Sequence, residues 1–112
     1  MSAGKNLDFV LLLDVYEGML TDRQRELMEY YYCDDMSLGE ISENSGITRQ
    51  AVRDGIKRAE QTLTSLEEKL GLAGKIVKCR DTFDEISKLV STQTDVDLNR
   101  ISHLAVQGRD IF

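Results

Sequence analysis

The sequence predicts an all-α protein, and three observations predict it. None of the 112 residues is proline, the residue that interrupts helix interiors and punctuates loops. Two stretches, TDRQ at 21–24 and SLGE at 37–40, carry the Ser/Thr-x-x-Gln/Glu pattern of a capping box. Beyond residue 50, apolar side chains recur alternately three and four places apart over long segments, the period of a helix with one buried face. The organisation expected is a core of three to four helices over residues 1–70 and a long C-terminal helical extension over 71–112, packing on the core or on a second subunit. A chain of this length, 41% hydrophobic and 30% charged, fits one small domain with such an extension.

The elements follow in order. Asn6 is a good N-cap, and a first helix is expected from there to Gly18, a C-cap residue. Leu7, Val10, Leu11 and Val15 form one stripe on it. Phe9, Leu12, Leu13 and Tyr16 form another, so this helix is apolar on most sides and is expected to be buried on more than one. Thr21 opens the second helix, which carries Leu27, Tyr30 and Tyr31 at helical spacing. The run Tyr30, Tyr31, Tyr32 could stack on bases. Consecutive helical positions diverge by about 100°, however, and packing is the better reading. Ser37 opens a short third helix that ends near Asn44 and Ser45, before Gly46. Thr48 caps the fourth, whose apolar positions Val52, Ile56, Ala59, Leu63, Leu66 and Leu70 form a heptad-like seam. Gly71 and Gly74 mark its end or a kink. Ile76, Cys79, Phe83, Ile86 and Val90 predict a fifth helix, STQTD at 91–95 a polar loop, and Leu98, Ile101 and Ala105 a last helix capped by Asp97, with a loosely held tail from Gly108.

Charge is uneven. The chain carries a net −6, which argues against unselective coating of nucleic acid. Residues 1–36 set Lys5, Arg23 and Arg25 against eight carboxylates, whereas residues 48–58 set Arg49, Arg53, Lys57 and Arg58 against Asp54 alone. One locally basic helix on an acidic protein can dock on a phosphate backbone, with weak and salt-dependent non-specific affinity. The amino terminus, MSAGKNLDF, has no basic run leading into an apolar stretch, and Phe9–Leu13 is flanked by Asp8 and Asp14. Neither a signal peptide nor a membrane span is expected, and the expected compartment is the cytoplasm. Cys33 and Cys79 are then reduced thiols.

The segment SLGEISENSGITRQAVRDGIKRAEQTL has the register of a helix-turn-helix, placed at 37–58. Leu38 and Ile41 supply the apolar face of its first helix, and Ser42 is small where the second helix passes. Gly46 stands where the turn needs a positive φ, and Ile47 plugs the turn into the core. Val52 and Ile56 face inward on the second helix. Thr48, Arg49, Gln50, Arg53, Asp54 and Lys57 are left outward at or near its N-terminus, with Arg58 beside them. A recognition helix presents that end to base edges in the major groove. Arginine can grip guanine and glutamine adenine, each with two hydrogen bonds; Thr48 and the free amides suit a phosphate. The plainer reading is that these cations are the solvated face of an amphipathic helix.

LTDRQRELMEYYYCDDMSLGEISENSGITRQAVRDGIKRAEQTL resembles region 4 of bacterial sigma factors, the helix-turn-helix that reads the −35 promoter element. The longer stretch from LLLDVYEGMLTDRQRE through EEKLGLAGK is closer still to the YlxM family, small bacterial helix-turn-helix proteins associated with the signal recognition particle. This second resemblance covers roughly residues 7–90, and TDRQ and GITRQAV are its most specific parts. It implies a three-helix core, a dimer and a part in protein targeting. By matching position, the sigma-like contacts to DNA fall on Thr48, Arg49, Gln50 and Arg53, with Lys57 behind them. The other sigma regions are missing, so the resemblance does not extend to promoter recognition within a polymerase holoenzyme.

No catalytic constellation is evident. His103 is the only histidine, neither cysteine has a sequence partner that would activate it, and no cofactor, metal site or enzymatic activity is expected. Asp34 and Asp35 read as solvated surface, as do Asp81, Asp84 and Glu85. Two binding classes compete. One is a DNA-binding regulator, a homodimer because one small helix-turn-helix covers one half-site. The other is an accessory factor docking on the protein or RNA of the signal recognition particle through the same basic helix. The deep, narrow major groove of A-form RNA would not admit that helix. The apolar first helix and the seams at 59–70 and 76–90 are the further reasons to expect a dimer.

Overall fold

The computed structural model describes residues 8–92 and 97–112. Six α-helices account for most of them: α1 Asp8–Tyr16, α2 Asp22–Met28, α3 Leu38–Ser45, α4 Arg49–Leu70, α5 Leu72–Thr92 and α6 Leu98–Arg109. A 3₁₀ turn, Glu17–Met19, follows α1, and a π turn, Glu29–Cys33, follows α2. There is no strand among the described residues. The chain divides into two compact units, one up to Leu70 and one from Gly71.

The first unit is organised by α4. Both capping boxes form: Thr21 and Gln24 exchange side-chain and backbone hydrogen bonds at the start of α2, and Ser37 and Glu40 do the same at the start of α3. Each satisfies two amides that would otherwise end unbonded. Thr48 Oγ1 accepts from Ala51 N at 3.0 Å and so caps α4. Helices α1, α2 and α3 all pack on α4. Leu27, Met28, Ile41, Val52 and Leu63 are the large side chains fully withdrawn from water, each worth about 1.5–3 kcal/mol of transfer free energy. Ala59 and Leu63 are also buried here, so these two seam positions are spent inside one chain. The half of α4 beyond the recognition element is covered in part by α1, whose Tyr16 hydroxyl donates to Glu67 Oε1 at 2.6 Å. Leu70, the last seam residue, is 53% exposed.

Several local expectations change. The first helix does not reach Gly18, its expected C-cap. Instead α1 stops at Tyr16 and Gly18 lies inside the 3₁₀ turn, which closes with Leu20 N donating to Glu17 O at 3.1 Å. Asn6, the expected cap, lies outside the described residues. The second helix widens into the π turn through all three tyrosines and ends at Cys33; Asp34 is its C-cap, and Asp35 follows at φ 53°, in the left-handed region that Asp tolerates better than most residues. Of the expected polar loop, Ser91 and Thr92 belong to α5 and 93–95 lie outside the described residues.

The second unit is an antiparallel pair. Asp97 caps α6 by accepting from Arg100 N at 3.0 Å. Arg100 pairs with Glu85 across the helices at 2.6 Å. A Cβ on Gly108 would sit 3.4 Å from Thr82 Cγ2. The Lys75 ammonium lies 6.0 Å from the centre of the Phe112 ring. The tail from Gly108 is therefore held against α5 rather than loose. Gly71, at φ 61°, ends α4, whereas Gly74 lies within α5. Phe83 and Val90 stay exposed at 64% and 56%.

Helices α2 and α4 pack closely at Gly55, where an added Cβ would come within 2.6 Å of Leu27 Cδ1. Leu27 is fully buried and has little space to yield. We expect Gly55→Val to lower stability by about 1–3 kcal/mol through overpacking, read as a shift in the urea midpoint. An unchanged midpoint would mean that α2 slides away from α4 without cost.

Candidate nucleic-acid interface

The turn between α3 and α4 sets the site. Gly46 takes φ 70° and ψ 23° and donates to Ser42 O at 3.0 Å. An L side chain adopts that conformation at a cost, and glycine does not. The Ser42 hydroxyl donates to the carbonyl of Ile47 at 2.5 Å, tying the end of α3 to the residue before the Thr48 cap. Ser42 is small where α4 passes, and its hydroxyl also holds the turn. Ile41 and Val52 are fully buried on either side of it, and Ile56 is 4% exposed.

With that face inward, α4 turns its first two turns outward. Thr48, Arg49, Gln50, Arg53, Lys57 and Arg58 are all exposed. Successive residues of a helix are about 100° apart, which places Arg49, Arg53 and Lys57 along one flank with Gln50 at its edge. Arg58 falls on the far side of the helix, where it lines a shallow depression with Gln24, Gln61 and Leu66. The first turn of α4 holds no carboxylate. Among the described residues, none of Arg49, Arg53, Lys57 and Arg58 forms an ion pair. Ahead of the Ala51 amide, which Thr48 takes, the Arg49 and Gln50 amides stand at the positive end of the helix dipole.

Two side chains shape this flank. Gln50 Nε2 donates to Asp54 Oδ1 at 3.0 Å, so the amide that could read a base is held along the helix in the free protein. The Arg49 guanidinium lies over Gly39 of α3, with Nη2 2.8 Å from where a Cβ would stand. Gly39 is thus a notch that seats Arg49. Nothing local in the sequence marks it, because the glycine sits within a capping box and its partner is ten residues away.

The profile of one protein family matches residues 3–101; its description is "Putative helix-turn-helix protein, YlxM / p13 like" (UPF0122). The chain belongs to this family. Similar relatives include a UPF0122 protein of Desulforamulus reducens, 51% identical over 80 residues, spanning 71% of this chain and 68% of that one. The UPF0122 protein of Halalkalibacterium halodurans is 44% identical over 89 residues, with 80% and 82% of the two chains covered. The UPF0122 protein YlxM of Bacillus subtilis is 43% identical over 91 residues, with 81% and 83% covered.

Behind the cationic flank, the π turn braces α4. The Tyr32 hydroxyl donates to Glu60 of α4. Its ring meets Tyr31 edge-on at 5.0 Å and Phe9 at 5.7 Å, so the tyrosines pack, as expected, rather than present a stacking platform. Burial, and then the Glu60 carboxylate that accepts its proton, push the Tyr32 phenol well above the ordinary tyrosine range. The phenol therefore stays protonated in the folded protein while it ionises near pH 10 in the unfolded chain. A raised folded value stabilises fully below the unfolded value and is lost as pH climbs past it. The stability advantage of the natural chain over Tyr32→Phe should accordingly hold up to about pH 9 and shrink above about pH 10, measured as the gap between urea midpoints. A gap constant across that range would show that the Glu60 contact does not govern the phenol.

Proposed function

We propose that this protein binds duplex DNA by inserting the N-terminal end of α4 into the major groove. The observation that carries the reading is the flank of Arg49, Arg53 and Lys57, without ion pairs among the described residues, at the exposed start of a helix whose opposite face is locked into the core. Arg49 and Arg53 supply bidentate contacts to guanine or to phosphate, and Lys57 meets the backbone as a point charge. Thr48 and the amides behind it fit a phosphate at the helix start. Gln50 reads a base only by exchanging its bond to Asp54, so base reading costs an intrahelical hydrogen bond. Arg58, across the helix, contributes long-range field rather than groove contact. This is the mode of sigma region 4, used here by a small acidic cytoplasmic regulator.

Two copies are proposed to act together, because a single recognition helix covers one half-site. The exposed apolar side chains Phe83 and Val90 of α5 support pairing. The net charge of −6 keeps non-specific affinity low and makes it fall steeply with salt.

Titration of a fluorescent randomised duplex at several salt concentrations tests the reading. Saturable binding is expected, with a log–log salt slope that drops by about 2 in Arg49→Ala/Arg53→Ala, one unit per lost phosphate contact. Gly39→Ala should weaken binding by about two- to fivefold with stability unchanged, because it unseats Arg49 without touching DNA. Absence of binding at low salt, or binding indifferent to the arginine pair, would contradict the proposal and make the motif a protein-docking fold.

A further inference from the structure

Helix α1 does not bury all of its apolar surface. Leu13 and Tyr16 enter the core at 2% and 3% exposure, but Val10 and Leu11 are only half-buried. They floor an open groove of about 680 Å³ together with Leu13. One wall is Asp14 of α1 with Glu17 of the 3₁₀ turn, and the other is Glu29 and Cys33 of the π turn with Asp34, its C-cap. The rim is thus four carboxylates around an apolar floor. Among the described residues, Asp14, Glu17 and Asp34 have no ion-pair partner, and Glu29 meets only Arg25, at 4.0 Å. The field they make is felt inside the groove. The Cys33 thiol is pushed above its ordinary value first by desolvation and then by Asp34, Glu29, Glu17 and Asp14.

We propose that this groove is the docking site for a basic amphipathic helix of a partner protein. The chemistry selects that occupant. An apolar floor flanked by helical walls takes apolar anchors one helical turn apart, and a ring of carboxylates demands lysine or arginine beside those anchors. A second copy offering the same groove is disfavoured: a two-fold interface would set four carboxylates against four, and like charges brought together across an interface are repelled. The groove draws on α1 and the π turn and uses none of the cationic flank of α4, so this site is separate from the proposed DNA contact.

The test uses the full chain and a labelled, amidated 18-residue helical peptide of leucine and lysine, with leucines at i, i+3, i+4 and i+7. Anisotropy should show saturable one-to-one binding, and the peptide should slow alkylation of Cys33 but not of Cys79. Asp14→Asn/Glu17→Gln should weaken binding by about fivefold. Asp81→Asn/Asp84→Asn, an equal change of charge on α5, should leave it unaltered. Val10→Glu should abolish Cys33 protection, with circular dichroism confirming the fold. Equal weakening by both charge pairs, or protection of neither thiol or of both, would overturn the proposal as non-specific attraction to an acidic protein. Cys33 protection that rises with protein concentration before peptide is added would overturn it in favour of a second copy.

Discussion

Gly46 holds φ 70° and ψ 23° between two residues, Ile41 and Val52, that are wholly excluded from solvent. The chain can reverse there only through the left-handed region, and it must do so within a few residues, because Ser42 ties to Ile47 across the turn. This single constraint fixes where α4 begins and which of its faces is spent on the core. Once Val52 and Ile56 point inward, the helical period turns Arg53 and Lys57 outward, and Arg49, in the first turn on the side of α3, lies exposed over Gly39. The cationic flank is therefore a geometric consequence of the turn as much as of the residues that compose it.

Helix α4 is at once the exposed reading edge and the spine of its unit. Its N-terminal half meets the solvent on one flank, while Ala59 and Leu63 are fully buried farther along. Glu60 and Glu67 receive hydroxyls from Tyr32 and Tyr16. These struts fix the rotation of the helix about its axis, since one residue of rotation, about 100°, would carry both glutamates away from their partners. Rigid support behind a recognition surface lowers the entropy lost on binding. The two glycine notches act at complementary points. Gly55 lets α2 approach closely enough to bury Leu27, and Gly39 seats Arg49. Charge is segregated along with structure, with cations at the start of α4 and carboxylates around the α1 groove.

What the sequence made legible was local. Capping boxes at Thr21 and Ser37, the caps at Thr48 and Asp97, and the turn at Gly46 each depend on residues within about four positions, and each forms. What it hid depends on distant partners. The π turn at Glu29–Cys33 is held by Tyr32 against Glu60 and Phe9, and no periodicity within the segment signals it. The notches at Gly39 and Gly55 become visible only when Arg49 and Leu27 are placed over them. Gly18 carried the residue type of a C-cap without the conformation, because the 3₁₀ turn gave the end of α1 another way to close. Gly108 has the residue type of a loose tail's start, yet it lies within α6, in contact range of Thr82 on α5. At the site itself, the identity of the outward residues was readable from the helical period. Their tethering, Gln50 to Asp54 and Arg49 over Gly39, was not, because rotamers are set by neighbours that only the fold supplies.

The central claim is that the exposed start of α4 is the surface that meets duplex DNA. Amide chemical-shift mapping of the full chain during titration with a duplex selected from a random pool addresses it most directly. The account requires the largest shifts at Thr48, Arg49, Gln50, Arg53 and Lys57, with the amides lining the α1 groove, from Val10 to Glu17, unmoved. Shifts centred on that groove, or none at saturating duplex, would contradict it.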